Sequence, residues 1–558
     1  MFQNTAYGAW QPPLGIPAPS FGIDTPTYNA ATHCPAWPSG QNSKANGKTY
    51  DCYYVDNSAS CNDNNAGGYG TPNAPLCTIP QGAFSAGAYV DVRGGRTNPY
   101  THNSGDRMEF EGIGTPTDYI VISGKNAAQK PILNDHIHIG VGGATSYLIL
   151  ENFEMKWQTE IRPTANNQNQ TYISIRNNSM LADGTFKNGA EFDVGQDDPN
   201  TYSSVCSNIV FYNNISSGAG QWNSADEDDT CSFYAKSNVD HIWVVDNTGY
   251  QSGGDGVAGG HNANRTSHHY YIGRNTLYQH RENCVDVKEI NNLVVSENVC
   301  HTLRSTNSSN GEGIVIHYGS DSVGPNEVWV LFNTIYDVVN GLQINTTGGS
   351  AYVIGNLFYN IHHDDTGWSP TSDYSNGAGV RIYSLGAAYV VDNTFYDYDT
   401  GIQFPDPSSG DTYAAHGNIF SNRAAANGYE IYVQTGTNRV TLDHNQFYYP
   451  SGTAKFGWGS SSQVGLGSIS CSVCAEGNPQ FVSPPTNFNL QSGSPAIDKS
   501  VEHSGYNTFV ITYGIDIRKD KRGVTRPQGS AWDIGAYEYG GSATDTTPPA
   551  RPTGLRIN

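Results

Sequence analysis

An aspartate and a lysine alternate with valines on a short strand in the middle of the sequence, where residues 285–288 read Val-Asp-Val-Lys. The valines alternate with Asp286 and Lys288, so one face of the strand is apolar and the other carries opposite charges. The equivalent strand of the next repeat, "GIVIHY", aligns His317 with Lys288 and places Tyr318 beside it. Neighbouring parallel strands are about 4.8 Å apart, so Lys288 and His317 should be direct neighbours. Such a pair predicts acid–base chemistry on the outer face.

Two arginines flank this strand at equivalent places in their repeats. Arg281 and Arg304 each follow a recurrent asparagine by six residues, so we expect them to stack on adjacent turns. The chain has only 29 lysines and arginines among 558 residues, so their proximity to Lys288 indicates a binding surface. Arginine can bind a carboxylate through two hydrogen bonds, and the charges of both arginines should lower the pKa of Lys288. The alternative is an exposed Lys288–Asp286 ion pair, which contributes less than about 1 kcal/mol.

The same alignment adds polar residues from a later repeat to the two outward columns. Arg381 falls in the column of Asp286, and Tyr383 falls in the column of Lys288. The residues assigned to catalysis are Lys288, His317 and Arg304, and those assigned to substrate binding are Arg281, Tyr318, Asp286, Arg381 and Tyr383.

Acidic residues precede the lysine strand on the same face. The segments "EFDVGQDD", "ADEDDT" and "GGDGV" bring carboxylates to three neighbouring turns. Carboxylate oxygens are the ligands that Ca²⁺ prefers, and a solvated acidic loop is the alternative. The predicted calcium ligands are Asp193, Asp226, Asp228, Asp229 and Asp255.

The elements that must position these residues are short strands in a repeat. An alternating apolar strand runs into asparagine and then a turn, as in "WVVDNTGY", "LVVSENVC" and "YVVDNTFY". The asparagines are at positions 152, 178, 214, 247, 275, 298, 333, 356, 393, 418 and 445. A unit repeated with variable insertions is typical of a solenoid, whose units bury their apolar faces on their neighbours.

The pattern predicts an all-β fold, a right-handed parallel β-helix of about ten or more turns. We expect the asparagines to form one column at a bend, where asparagine tolerates left-handed backbone and hydrogen-bonds to its neighbours above and below. A β-propeller is the alternative. Its blades need about 40–45 residues each, whereas the shortest asparagine spacing is 23 residues.

Charge and cysteine content bound the cellular context. A net charge of −22 argues against nucleic acid and against an anionic membrane surface as partners. No apolar run approaches the roughly 18–20 residues of a membrane span. The ten cysteines, several of them close in sequence, predict disulfides rather than a zinc site, with the pairing left open. We therefore expect a secreted, extracellular or periplasmic protein.

Composition divides the chain into four segments. Residues 1–80 are rich in Cys, Pro and Gly and predict an irregular N-terminal extension or cap. Residues 81–450 hold the β-helix, and residues 451–540 its C-terminal cap, in which "RGVTRPQGSAWDIGAYEY" resembles the terminal segment of many secreted bacterial β-helix proteins. Residues 541–558 resemble a linker entering a truncated fibronectin type III-like module. We expect a monomer within a longer modular protein.

The segment "VDVKEINNLVVSEN" at 285–298 resembles the lysine strand of the parallel β-helix polysaccharide lyases. The similarity is to chondroitinase B and the alginate lyases, and more loosely to the pectate lyases. It implies that Lys288 is the base of a β-elimination and that Ca²⁺ neutralises the uronate carboxylate. Those families place an arginine one turn further, where this chain has His317 and Tyr318. One of these two residues is then expected to serve the leaving oxygen.

These observations predict a secreted lyase that cleaves a uronate-containing polysaccharide. Two alternatives remain open. An inverting glycoside hydrolase would use an acid pair such as Asp255 and Asp286, with carboxyls about 6.5–9.5 Å apart. A non-catalytic β-helix would bind glycans through its tyrosines. Only fragments of the polygalacturonase motifs are present, such as "AGGH" and "VRIYS".

Overall fold

The computed structural model describes residues 9–540 apart from short gaps. The gaps are 65–68, 103–106, 127, 182–190, 199, 223–228, 261–266, 305, 307–308, 320–323, 347, 365–376, 384 and 409. The chain forms two compact units, both right-handed parallel β-helices, as the repeat predicts. The first unit is Met1–Val294, Cys300–Glu327 and Ile344–Thr347, and the second is Val295–Val299, Val328–Gln343 and Gly348–Asn558.

The first unit has three sets of strands, and within each set successive turns pair in parallel. The set that includes the strands before the asparagines is Lys48–Asp56, Tyr89–Arg93, Ile120–Gly124, Thr145–Glu151, Gln170–Arg176, Cys206–Tyr212, Val239–Val245 and His268–Gly273. The set after the asparagines is Ile132–Leu133, Glu154–Met155, Ser179–Leu181, Ile215–Ser217, Thr248–Tyr250 and Thr276–Tyr278. The third set is Gly82–Phe84, Met108–Ile113, Ile137–Ile139, Thr159–Ile161, Phe192–Val194, Phe233–Ala235, Val257–Gly259, Val285–Lys288 and Glu312–His317.

The second unit repeats this arrangement. Its strands before the asparagines are Ser350–Ile354, Ala387–Val391, Thr412–His416 and Val440–Asp443, and those after them are Thr334–Val338, Leu357–Ile361, Thr394–Tyr398, Ile419–Ser421, Gln446–Tyr448 and Ala475–Glu476. Its third set is Ala378–Ile382, Thr400–Phe404, Ile431–Val433 and Lys455–Trp458. Four further strands contain residues of both units: Asn291–Ser296, Val299–His301, Glu327–Leu331 and Asn340–Asn345. The strand Ser461–Val464, the hairpin Phe481–Ser483 and Asn487–Leu490, and the helix Ser504–Tyr513 complete the unit.

A column of buried asparagines runs through each unit, as predicted. In the second unit, the Asn333 side-chain oxygen accepts hydrogen bonds from the backbone and side-chain nitrogens of Asn298, at 2.9 and 3.0 Å. Asn333 Nδ2 donates to Val295 O at 2.9 Å and to Asn356 Oδ1 at 3.0 Å. Each asparagine thus satisfies buried backbone groups of the bend and fixes the spacing of two turns. The bonded series are 178, 214, 247 and 275 in the first unit and 298, 333, 356, 393, 418 and 445 in the second.

Two details of this prediction are wrong. The column position on the turn of Asn152 is held by Phe153, whose backbone nitrogen donates to Asn178 Oδ1. The left-handed backbone also lies one residue before the column, for example at Asp246 with φ 59° and Asp392 with φ 52°. The asparagine therefore contributes the hydrogen bonds of its side-chain amide to neighbouring turns. The residue before it supplies the left-handed backbone of the bend.

The N-terminal segment lies along the outside of the first unit. Trp10 Nε1 donates to Asp246 Oδ2 at 2.7 Å, and Trp243 Nε1 donates to Pro17 O at 2.8 Å. The buried guanidinium of Arg176 donates to the carbonyl of Gly22 at 2.5 Å. The segment is therefore ordered by hydrogen bonds to several turns of the β-helix, although it has little regular structure of its own.

The disulfide prediction is right for six of the ten cysteines. The bonds are Cys34–Cys52, Cys61–Cys77 and Cys471–Cys474. The other four, Cys206, Cys231, Cys284 and Cys300, are buried free thiols. These four side chains lie in the β-helix, where a buried thiol packs as a small apolar group. Within the described residues, no helix has the length and apolar character to cross a membrane.

Candidate functional site

The strand Val285–Lys288 lies between two parallel neighbours in the first unit. Val285 and Asp286 are opposite Val257 and Ala258 of the preceding turn. Lys288 is opposite His317 of the following turn. This register is the one that the alternation of apolar residues predicts, because shifting it by one residue would turn the valines outward.

Asp286 joins the lysine and the histidine. Its carboxylate lies 3.3 Å from Lys288 Nζ and 3.0 Å from His317 Nε2. The Asp286 side chain is only 11% exposed, whereas those of Lys288 and His317 are 41% and 28% exposed. A nearly buried carboxylate therefore orients two basic groups that remain accessible to a ligand.

A second carboxyl group lies close to this triad on the preceding turn. Asp255 is buried, and its Oδ1 accepts hydrogen bonds from the backbone and side-chain nitrogens of Asn283, both at 3.0 Å. Burial and the negative charges of Asp286 and Glu282 raise the pKa of Asp255 well above its usual range. Burial would also raise the pKa of Asp286, but the hydrogen bond from His317 and the charge of Lys288 hold it below its usual value. The pKa values of these two neighbouring carboxyl groups are thus shifted in opposite directions.

The pKa of Lys288 is raised, which corrects the predicted lowering. Burial alone would lower it, but the charges of Asp286 and Asp255 outweigh this effect. The predicted arginine pair has unequal environments. Arg281 is buried, whereas Arg304 is exposed and donates from Nη1 to Leu303 O at 2.7 Å. The carboxylates thus dominate the field at the lysine, since they are its immediate neighbours.

The remaining predicted substrate-binding residues lie in two places. Tyr318 is 38% exposed in the first unit, and its backbone nitrogen donates to Asn345 O. In the second unit, Arg381 is buried and donates to Gln343 Oε1 at 3.0 Å. Its guanidinium lies 4.3 Å from the centre of the Tyr383 ring. Gln343 and Arg381 are thus neighbours.

A second lysine, which was not predicted from the sequence, lies on the same face. Phe233 is opposite Val257, which in turn is opposite Val285, so Lys236 occupies the place of Lys288 two turns earlier. Lys236 Nζ lies 2.6 Å from Asp193 Oδ2 and is largely buried. The signal was available, because "FYAK" and "VDVK" have lysine at the same position of the strand.

The predicted calcium ligands do not form one ligand set among the described residues. Asp193 forms an ion pair with Lys236, and Asp255 accepts a hydrogen bond from Asn283. Asp229 is exposed. Asp226 and Asp228 lie outside the described residues. Among the described side chains, every group with three or more possible ligand atoms within 4.8 Å of one another contains histidine. None of these groups includes a predicted calcium ligand. Calcium binding stays a prediction.

Glu191, Asp193 and Lys236 form a buried charged cluster that makes stability depend on pH. Burial and the charge of Asp193 raise the pKa of Glu191 to about 8. The pKa of Glu191 is thus about 4.5 in the unfolded state and about 8 in the folded state. Between these two values the folded state binds more protons than the unfolded state, so stability falls as pH rises from about 4.5 to about 8. Glu191→Gln should reduce the fall in melting temperature between about pH 5 and about pH 8. Glu109→Gln, at a carboxylate that is 43% exposed, is the control. An unchanged pH dependence in Glu191→Gln would contradict the raised pKa.

Comparison with known proteins gives no family for this chain. No family model and no curated protein matches it. Among solved structures, a pectate lyase is 13% identical with a TM-score of 0.39, covering 87% of this chain and 96% of its own. A complex of XylC with xylose is 11% identical with a TM-score of 0.38, covering 87% and 98%. The A-module of an Azotobacter vinelandii mannuronan C-5 epimerase is 11% identical with a TM-score of 0.27, covering 71% and 89%. Lys288, Asp286 and His317, which we call the Lys288 site, are therefore the residues from which a function can be inferred.

Proposed function

We propose that the protein cleaves a uronate-containing polysaccharide by β-elimination, with Lys288 as the base. The observation that carries this proposal is the outward-facing group of Lys288, Asp286 and His317 on two neighbouring strands. Their rigid β-helix scaffold holds a proton acceptor and a proton donor side by side on an accessible surface. That is the arrangement required to take a proton from one carbon and deliver one to a nearby oxygen.

The proposed reaction transfers protons through these side chains. The neutral amine of Lys288 removes the proton α to the uronate carboxylate, and the electron pair forms a carbon–carbon double bond as the glycosidic C–O bond breaks. His317 or Tyr318 gives a proton to the leaving oxygen. The exposed Arg304 binds a substrate carboxylate through its guanidinium. No water is consumed.

The charge on Lys288 sets the pH dependence of this reaction. Because neighbouring carboxylates raise its pKa, the neutral amine is scarce at neutral pH and increases about tenfold for each pH unit. Where Tyr318 gives the proton, turnover should therefore rise with pH into the alkaline range. The ionised Asp286 keeps His317 oriented throughout this range.

The experiment is incubation with a panel of acidic polysaccharides while ultraviolet absorbance and reducing ends are both followed. An elimination produces an unsaturated uronate, so absorbance and reducing ends should increase together, and faster at alkaline pH. Treatment with a calcium chelator, followed by calcium or magnesium, tests the predicted Ca²⁺ requirement in the same assay. Activity that survives chelation would remove calcium from the proposal but leave Lys288 in it.

A second candidate function, hydrolysis, is supported by the opposite pKa shifts of two aspartates. Burial and neighbouring negative charges raise the pKa of Asp255, whereas His317 and Lys288 lower the pKa of Asp286, and a general acid and a general base need pKa values separated in this way. This mechanism predicts reducing ends without ultraviolet absorbance and a loss of activity as Asp255 ionises. Asp255→Asn would then abolish turnover, whereas elimination by Lys288 requires no proton from Asp255.

The cellular context belongs to the same proposal. Three disulfides support an oxidising compartment, and a secreted or periplasmic enzyme meets polysaccharides there. We propose that a polysaccharide binds at Lys288, Asp286 and His317. We also propose that the protein is a monomer and part of a longer modular protein. Sedimentation of the full chain tests the monomeric state.

A further inference from the structure

Three histidines and an aspartate converge on the surface of the first unit, away from the strands of the Lys288 site. Asp240 and His241 follow the first residue of the strand Val239–Val245. His268 and His269 are the first two residues of the next strand of the same set, His268–Gly273. Asp240 is opposite His268, so His241 and His269 occupy equivalent places on neighbouring turns. We call these four residues the histidine cluster.

The nitrogen atoms of the cluster point at one carboxylate oxygen. Asp240 Oδ1 lies 2.5 Å from His241 Nδ1, 2.8 Å from His268 Nδ1 and 3.7 Å from His269 Nδ1. The Nδ1 atoms of His268 and His269 are 2.7 Å apart. Two imidazole nitrogens at that distance must share a proton or a cation, because two bare lone pairs repel each other.

The backbone holds the cluster in this form. His241 and His269 both have left-handed backbone, with φ of 55° and 60°. Their rings stack with centres 4.2 Å apart and planes 9° apart. The same bend on two successive turns thus directs both Nδ1 atoms to one side. The four side chains are 30–38% exposed, so an ion can enter from solvent.

We propose that the histidine cluster binds a late first-row divalent cation such as Zn²⁺, with Asp240 Oδ1 and the three Nδ1 atoms as its ligands. Imidazole nitrogen favours Zn²⁺, Cu²⁺ and Ni²⁺ over Ca²⁺ and Mg²⁺. A tetrahedral zinc site with bonds of about 2.1 Å separates its ligand atoms by about 3.4 Å. The contact distances between ligand atoms in the cluster, 2.5–3.7 Å, lie on both sides of that value. Small side-chain rotations would bring the four atoms to zinc-binding distances.

The ligand count indicates a structural role for the ion. Four protein ligands close a tetrahedral zinc site, whereas catalytic zinc keeps a position for water. The ligands come from two neighbouring turns, so the ion cross-links those turns.

The test is zinc binding by the full chain without an affinity tag. After removal of metal, isothermal titration with Zn²⁺ and metal analysis after dialysis should show one equivalent that His268→Ala/His269→Ala lacks. Loss of an outer-shell partner weakens a metal site about 10–100-fold, so each single variant should weaken binding at least about 10-fold. Zn²⁺ should also raise the melting temperature of the wild type by roughly 5 °C, and Ca²⁺ should not.

His136→Ala removes a half-buried histidine elsewhere in the first unit and is the matched control. It should retain both the bound equivalent and the thermal shift. The proposal is overturned if the wild type binds no stoichiometric zinc, or if the double variant binds as much as the wild type. A double variant that melts like the metal-free wild type shows that loss of binding is not loss of folding.

Discussion

Lys288→Ala should lower turnover on the responsive polysaccharide by roughly 10² to 10⁴, the usual contribution of a positioned base. The side chain is 41% exposed, and Asp286 keeps His317 as a partner when the lysine is removed. The melting temperature should therefore change little. Initial rates by ultraviolet absorbance, with thermal unfolding of the same preparation, measure both quantities.

Lys288→Arg separates a base from a positive charge at the same place. Arginine keeps the charge beside Asp286 but cannot lose its proton at any useful pH. If Lys288 is the base, the arginine variant should be about as inactive as the alanine variant. Lys156→Ala, at a half-buried lysine paired with Glu154, is the control and should retain full activity. Wild-type turnover in Lys288→Ala, together with inactivity of Asp255→Asn, would replace the lyase by the hydrolase.

Asn333→Ala should be the most damaging single change to the fold of the second unit. It removes the acceptor of two Asn298 nitrogens and the donor to Val295 O, all of them buried. Each buried polar group left unpaired costs about 1–3 kcal/mol, so the total is on the order of 4 kcal/mol. The melting temperature of the transition that reports this unit should fall by roughly 10 °C.

Asn438→Ala is the control for this loss, because Asn438 is exposed and belongs to the same unit. A surface substitution of this kind should stay within about 0.5 kcal/mol of the wild type. Equal melting temperatures for the two variants would show that the asparagine column contributes little to stability. Its recurrence in the sequence would then need another cause.

The fold could be predicted because its determinants are local and repeated. Alternation of apolar residues sets which face of a strand is buried, and recurrence of asparagine sets where each turn begins. The pairing of Lys288 with His317 follows from these two facts alone. The misplacement of the column at Asn152 had a local cause too, because its turn has phenylalanine at the column position and asparagine one residue earlier.

The sequence by itself determined the β-helix, the register of the Lys288 strand and the asparagine column. Only the tertiary structure decided the burial of Arg281, the ion pair of Lys236 with Asp193 and the convergence of the histidine cluster. It also decided that Asp286 and Asp255 raise the pKa of Lys288. The physical reason is the range of each effect. Register follows from the period of one strand, whereas burial and electrostatic fields depend on side chains brought together from different turns.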